Sequence, residues 1–167
     1  MTRLYLLRHA RARWAEPGSR DYDRALELSG RADADAVAAA MLLAGHVPDK
    51  VLCSGARRTR ETWEVAARHL PVADIVYSDA LYSSDAAGYL EVIRAHGGEG
   101  SALVVGHNPM MEDLATALSR GGEPSALAAV ARGFPTCGLA VIRFSATLAE
   151  IAPEDGFLEE FFVPRDS

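Results

Sequence analysis

Three short polar clusters hold the residue types that could act on a phosphoryl group: Arg8-His9, Ser54 to Arg58, and Gly106-His107-Asn108. The guanidiniums of Arg8 and Arg58 stay charged at any working pH and offer forked donors that suit phosphate oxygens. A neutral imidazole at His9 could attack phosphorus and form a covalent intermediate, splitting one hard displacement into two easier ones. A second imidazole, His107, titrates near neutral pH and is protonated more readily beside a phosphoryl anion. It would then bind the charge that grows on the transferred group. Backbone N–H groups opening a helix after Asn108 could join the same anion site. Each piece alone is weak. A lone histidine after a strand is more often a core or surface residue, and arginines on a helix usually form a solvated face, as expected here for Arg57 and Arg60. Weight comes from the order and placement of the three clusters together.

Each cluster directly follows a short apolar run. Arg3 to Leu7 reads as a strand buried on both faces, and so do Lys50 to Cys53 and Ala102 to Val105. Ile75 to Tyr77 is a further short strand, and Leu139 to Phe144 a late one. Between them lie helices: Ser29, as N-cap, to Leu43 and Gly45; Ala56 to His69; Ala86 to His96, ended by Gly97-Gly98; and Pro109 to Leu118. Ala10 to Leu28 lacks periodicity and reads as a long loop of the kind that is often functional. The segment after Phe144 has no clear pattern. Alternating strands and helices predict an α/β three-layer sandwich, a mostly parallel central sheet with helices on both faces. In such a sheet the carboxyl ends of the strands share one edge, where ligands bind. That geometry would bring Arg8, His9, Arg58 and His107 together.

The 167 residues suit one domain, residues 1–167, with a sizeable core. A net charge of −6 argues against wholesale affinity for nucleic acid or an anionic membrane, so phosphate affinity must be local. No signal peptide and no apolar run of membrane-spanning length is evident, which makes a cytoplasmic location the expectation. Cys53 and Cys137 form no paired framework, and the histidines show no metal-ligand spacing.

Leu6-Leu7-Arg8-His9-Ala10 resembles the Arg-His-Gly signature of the histidine phosphatase superfamily, in the Arg-His-Ala form of its SixA-type members. Cys53 to Thr62 resembles the second motif, a Ser followed by an Arg four residues before a Thr, which points to Arg58 rather than Arg57. Val104-Val105-Gly106-His107-Asn108-Pro109 resembles the third. Asp23-Arg24-Ala25-Leu26 with Gly30 is similar to the subgroup's Asp-x-x-Arg-Pro-Leu segment followed by Gly, with Ala25 in place of the Pro. The resemblance covers essentially the whole chain. It implies a phosphoglycerate mutase-like fold and a phosphatase in which His9 carries the phosphoryl group. Arg8, Arg58 and His107, with Asn108 beside them, would hold the phosphate, and no metal or organic cofactor would be needed.

One departure bears on the substrate. Many members carry a Glu after the third strand that protonates the leaving group, and Asp79 to Asp85 has none. Asp85 could substitute, but it reads at least as well as the N-cap of the helix from Ala86. The gap leans toward phosphohistidine in a protein, whose nitrogen leaving group needs less help than an alkoxide. The alternatives are a small-molecule phosphomonoesterase acting on a sugar phosphate or nucleotide, and, from another class, a non-enzymatic phosphoprotein-binding module. The module needs no nucleophile, and the intact His9 speaks against it. A cysteine-based phosphatase is disfavoured because the sixth residue after Cys53 is Thr59, not Arg. The expected partner is therefore a phosphorylated protein or a small phosphate ester, with no nucleic acid and no membrane. Oligomeric state is not legible.

Overall fold

A computed structural model describes residues 1–164. Among them, β1 (Thr2–Arg8), β2 (Lys50–Ser54), β3 (Asp74–Ser78), β4 (Ala102–Gly106), β5 (Ser119–Gly122), β6 (Leu139–Phe144) and β7 (Gly156–Phe162) form one sheet. The strand order is β3-β2-β4-β1-β6-β7-β5. All neighbours pair in parallel except where β6 runs against β1 and β7. The helices are α1 (Leu28–Leu43), α2 (Arg57–Ala66), α3 (Ala80–Ser83), α4 (Ala86–Gly97), α5 (Met110–Leu118) and α6 (Pro124–Ala131).

The apolar run of β1 shows why three layers form. Successive side chains on a strand point to opposite faces. Leu4 and Leu6 pack with Tyr89, Ile93, Met111 and Leu114 of α4 and α5. Tyr5 and Leu7 pack with Val37, Met41 and Trp63 of α1 and α2. Both faces of the strand are covered, so a continuous rather than an alternating apolar pattern is what the fold requires. No helix among the described residues is long and apolar enough to cross a membrane.

Some expectations shift. The first long helix opens at Leu28 with Glu27 in the cap position, so Ser29 lies inside its first turn rather than at the cap. The expected helix from Ala56 to His69 is regular only over Arg57–Ala66. The structure adds α3, β5, α6 and β7, which have no periodic signature. β5 reads Ser-Arg-Gly-Gly, α6 is alanine-rich, and pairing between β6 and β7 shifts register between Val141 and Ile142, which breaks the period of two.

The long loop before α1 is ordered. Ala12 bridges Leu26, Arg13 N–H donates to Ala25 O at 2.8 Å, and Glu27 N–H donates to Arg11 O at 2.9 Å. Gly30 makes this possible, because a Cβ there would lie 2.3 Å from Arg11 O. A single 3-10 turn, Asp21–Asp23, sits at its far end.

Candidate active site

The parallel pairing places the ends of the central strands side by side. Arg8 is level with Gly106, and Cys53 with Val105. The next residue after β1 is His9 and after β4 is His107, and the loop after β2 leads directly into α2 and Arg58. The backbone at the end of β1 is tied on both sides. Arg8 N–H donates to Gly138 O at 3.1 Å, His9 N–H to Gly106 O at 3.0 Å, and Ala10 N–H to Thr62 Oγ1 at 3.0 Å.

His9 is buried, and its Nδ1 lies 2.7 Å from Ala10 O. A carbonyl only accepts, so Nδ1 carries the hydrogen and Nε2 keeps the lone pair. Burial, the neighbouring His107 and the charges of Arg58 and Arg8 outweigh the carbonyl's help and lower the His9 pKa to about 3. The ring is therefore neutral at ordinary pH, with a lone pair on Nε2. The His107 ring centroid lies 5.3 Å from that of His9. Its Nε2 is 2.8 Å from Ser54 Oγ, and its backbone N–H donates to Tyr89 Oη at 3.1 Å. Tyr89 in turn donates to Leu81 O. A Cβ on Gly106 would meet Tyr89 and Met111 Cε at 2.8 Å, so glycine here lets α4 and α5 close on the strand end.

Arg58 is buried although its neighbour Arg57 is exposed. Its Nη1 donates to Asp21 O at 3.0 Å and its Nη2 to Asp21 Oδ2 at 3.1 Å. Arg8 Nη1 donates to Phe134 O at 2.9 Å. Among the described residues, Arg8 Nε, Arg58 Nε and His107 Nδ1 are buried with no partner inside the chain. Three polar atoms of one cluster thus lack a protein partner, an arrangement that suits an anion with several oxygens.

Comparisons with known proteins give the family. Residues 4–86 match the model of the histidine phosphatase superfamily, branch 1. The chain is similar in structure to a candidate phosphohistidine phosphatase SixA from Agrobacterium tumefaciens, at 40% identity and TM-score 0.83 over 98% of both chains. A second SixA candidate, from Nakamurella multipartita, is 30% identical with TM-score 0.83, over 98% of this chain and 96% of that one. An uncharacterized protein of Mycobacterium tuberculosis is 34% identical over 95% of this chain and its own full length. The chain belongs to the histidine phosphatase superfamily. It is of the SixA type and is a hydrolase, a phosphatase with the phosphoglycerate mutase-like fold.

Within this histidine phosphatase the structure brings Arg8, His9, Arg58 and His107 together at one sheet edge. Asn108 stands next to them with its amide already used. Its Nδ2 donates to Phe134 O at 3.0 Å, and its Oδ1 accepts from Glu112 N–H at 3.2 Å. The N–H groups of Met111 and Glu112 are taken by His107 O and Asn108 Oδ1, so these two helix-opening donors do not face an anion. His107 departs from the expectation of a ring protonated near neutral pH. Burial and the charge of Arg58 lower its pKa to about 4, so it is neutral until an anion arrives. Arg60 is not simply solvated, because its Nε donates to Gly55 O at 2.8 Å. Cys53 is fully buried and burial pushes its thiol up, which removes it as a nucleophile.

Two residues near the cluster escaped the sequence reading. Asp21 receives Arg58, Arg24 Nη1 at 3.0 Å and Tyr82 Oη at 2.8 Å. Burial pushes its carboxyl up, but bonds from Tyr82 and Arg24 and the charge of Arg58 outweigh it and hold the pKa at about 2. The signal was present: Asp21, not Asp23, stands three residues before Arg24 and fits the Asp-x-x-Arg spacing. Tyr82 follows Leu81, where many relatives would carry a Glu, and its ring centroid lies 5.5 Å from that of His107. Asp85 Oδ1 accepts from Gly88 N–H at 2.9 Å and caps α4, in line with the simpler of its two readings.

Proposed function

We propose that this phosphatase dephosphorylates phosphohistidine in a protein, with His9 as the residue that transiently carries the phosphoryl group. His9 Nε2 attacks phosphorus, and the P–N bond to the substrate histidine breaks. The released nitrogen keeps a proton taken from solvent. Water then attacks the phosphorylated His9, the Nε2–P bond breaks, and inorganic phosphate leaves. Arg8 and Arg58 neutralise the equatorial oxygens. If Ser54 Oγ donates to His107 Nε2, the neutral ring bears its hydrogen on Nδ1 and offers it to a further oxygen. The incoming phosphoryl anion raises the His107 pKa and strengthens that bond.

The observation that carries the substrate class is the state of the carboxylates on the loops around the cluster. Asp85 caps α4, Asp79 accepts from Tyr22 Oη at 2.6 Å, and Asp21 is held ionised by Tyr82, Arg24 and Arg58. All three are engaged elsewhere in the chain rather than placed as a proton donor beside His9. An alkyl phosphate depends on such a donor by roughly 10²–10⁴-fold, whereas a phosphoramidate nitrogen is protonated by solvent before cleavage. The similarity to SixA candidates points the same way.

The test is kcat/KM for a phosphohistidine protein against a sugar phosphate, with His9→Ala as control. The phosphohistidine protein is expected to be strongly preferred, and His9→Ala to abolish turnover while circular dichroism stays unchanged. If the sugar phosphate is the better substrate, a small-molecule phosphomonoesterase replaces this reading. Unchanged activity in folded His9→Ala would remove His9 as nucleophile.

A further inference from the structure

We propose that the loop from Arg11 to Arg24 is a docking surface for acidic residues flanking the phosphohistidine of a protein substrate, with Trp14 as its apolar anchor. This rests on the phosphoprotein reading above and specifies the sequence around the target.

Trp14 is 89% exposed, an expensive place for the largest apolar side chain unless something covers it. It stands at the rim of a small cleft of about 170 Å³ lined also by Arg13, Glu16, Ser19, Arg20 and Asp23. The charged residues lining the cleft are Arg13, Arg20, Arg24 and Arg57 against Glu16 and Asp23, in a chain whose net charge is −6. The positive charge is therefore concentrated here against an acidic remainder. Arg13 enters no ion pair among the described residues. Among the described residues Arg20 makes one ion pair, with Asp23 at 2.9 Å, and lies 5.5 Å over the Tyr22 ring, with its own side chain 75% exposed. An exposed pair of this kind contributes little and is readily exchanged for a partner's carboxylate. Tryptophan and arginine together are the residue types that dominate protein interfaces.

The loop is also fastened to the catalytic cluster. Arg24 meets Asp21 at 3.0 Å, and Asp21 meets Arg58 at 3.1 Å. Arg13 and Glu27 hold its stem to Ala25 and Arg11. Glu61 of α2 accepts from Leu26 N–H at 2.9 Å and from Arg31 at 2.8 Å. A protein seated on Trp14 and Arg13 would therefore rest on a loop that Asp21 ties to Arg58 of the site. Acidic flanks are the complement of this patch, and they would be repelled by the rest of the molecule.

The experiment compares three substrates prepared with phosphoramidate: free phosphohistidine, a phosphohistidine peptide flanked by Asp and Glu, and a matched peptide flanked by Lys. Wild type should prefer the acidic peptide to the lysine one by about tenfold or more, the scale of one good interface contact, and added salt should erode the preference. Trp14→Ala and the pair Arg13→Ala/Arg20→Ala should each remove most of it, through KM rather than kcat, with free phosphohistidine turned over at the wild-type rate. Equal use of the two peptides by wild type overturns the docking surface and leaves phosphohistidine chemistry standing. Variants that lose as much on free phosphohistidine also overturn it, since the loop would then only support the site. A sugar phosphate preferred over all three substrates overturns the phosphohistidine reading and this one with it. A change in sedimentation of Trp14→Ala would make a second copy of the chain the occupant, which likewise overturns the proposal.

Discussion

Arg57 and Arg58 are chemically identical neighbours, and one helical step of about 100° separates their fates. Arg57 lies outside, bonded to Glu61 at 3.4 Å, while Arg58 turns inward and is gripped by Asp21 through two donors. A fixed guanidinium costs no reorganisation when charge builds on a transferring phosphoryl group, which is what makes preorganised donors effective. With free phosphohistidine as substrate, Arg58→Ala should lower kcat/KM by about 10²-fold or more, and Arg57→Ala by no more than a few-fold. Asp21→Asn keeps the shape but weakens the grip, and its effect should fall between the two. Steady-state kinetics on the three variants, with folding checked by circular dichroism, decides the matter. Similar losses at Arg57 and Arg58 would show that the inward arginine is not the one that meets phosphate.

At the scale of elements, the start of α4 separates a structural carboxylate from a chemical one. Asp85 has extended backbone and accepts the Gly88 N–H, as an N-cap does. Replacing it with Ala should cost about 1 kcal/mol of stability, measurable by urea denaturation, while phosphohistidine turnover stays within a few-fold of wild type. A loss of activity without a loss of stability would assign Asp85 to the chemistry instead. The same helix carries Tyr89, whose hydroxyl joins Leu81 O to the His107 N–H. The ends of α3, α4 and β4 are thereby held together just where His107 begins.

For the whole molecule, burying two neutral imidazoles makes stability depend on pH. Burial is the main reason the His9 and His107 pKa values stand at about 3 and about 4. In the unfolded chain both return to about 6.5. Between those values and about 6.5 the unfolded chain binds more protons than the folded one, so stability falls as pH drops through that window. Above about 6.5 neither histidine contributes to the pH dependence. Denaturation midpoints should therefore decline from about pH 7 toward about pH 4, and the decline should be shallower in His9→Asn/His107→Gln. In phosphate-free buffer, NMR should find both rings neutral at about pH 6. A ring titrating near its ordinary value would show that the site is open to water, and the pH argument would fail.

The sequence by itself was enough to place the ends of the central strands and the polar residues just beyond them. Leu4 to Leu7 and Ala102 to Val105 must be covered on both faces, which implies parallel strands between helices, and parallel strands bring Arg8, His9 and His107 to one edge. The spacing to Thr62 pointed to Arg58 rather than Arg57, and it is Arg58 that the structure buries. Tertiary structure alone decided the rest. It bonded Asp21 to Arg58 and Tyr82, residues 37 and 61 positions away from it along the chain, and no local pattern encodes such pairs. It also filled the second half of the sheet with β5 and β7, where a register shift and a Ser-Arg-Gly-Gly strand erase the periodicity. The charge state of His107 belongs here too. An imidazole's residue type places it near neutrality, but burial beside Arg58 makes it neutral, because removing a cation from water costs more than its neighbours return.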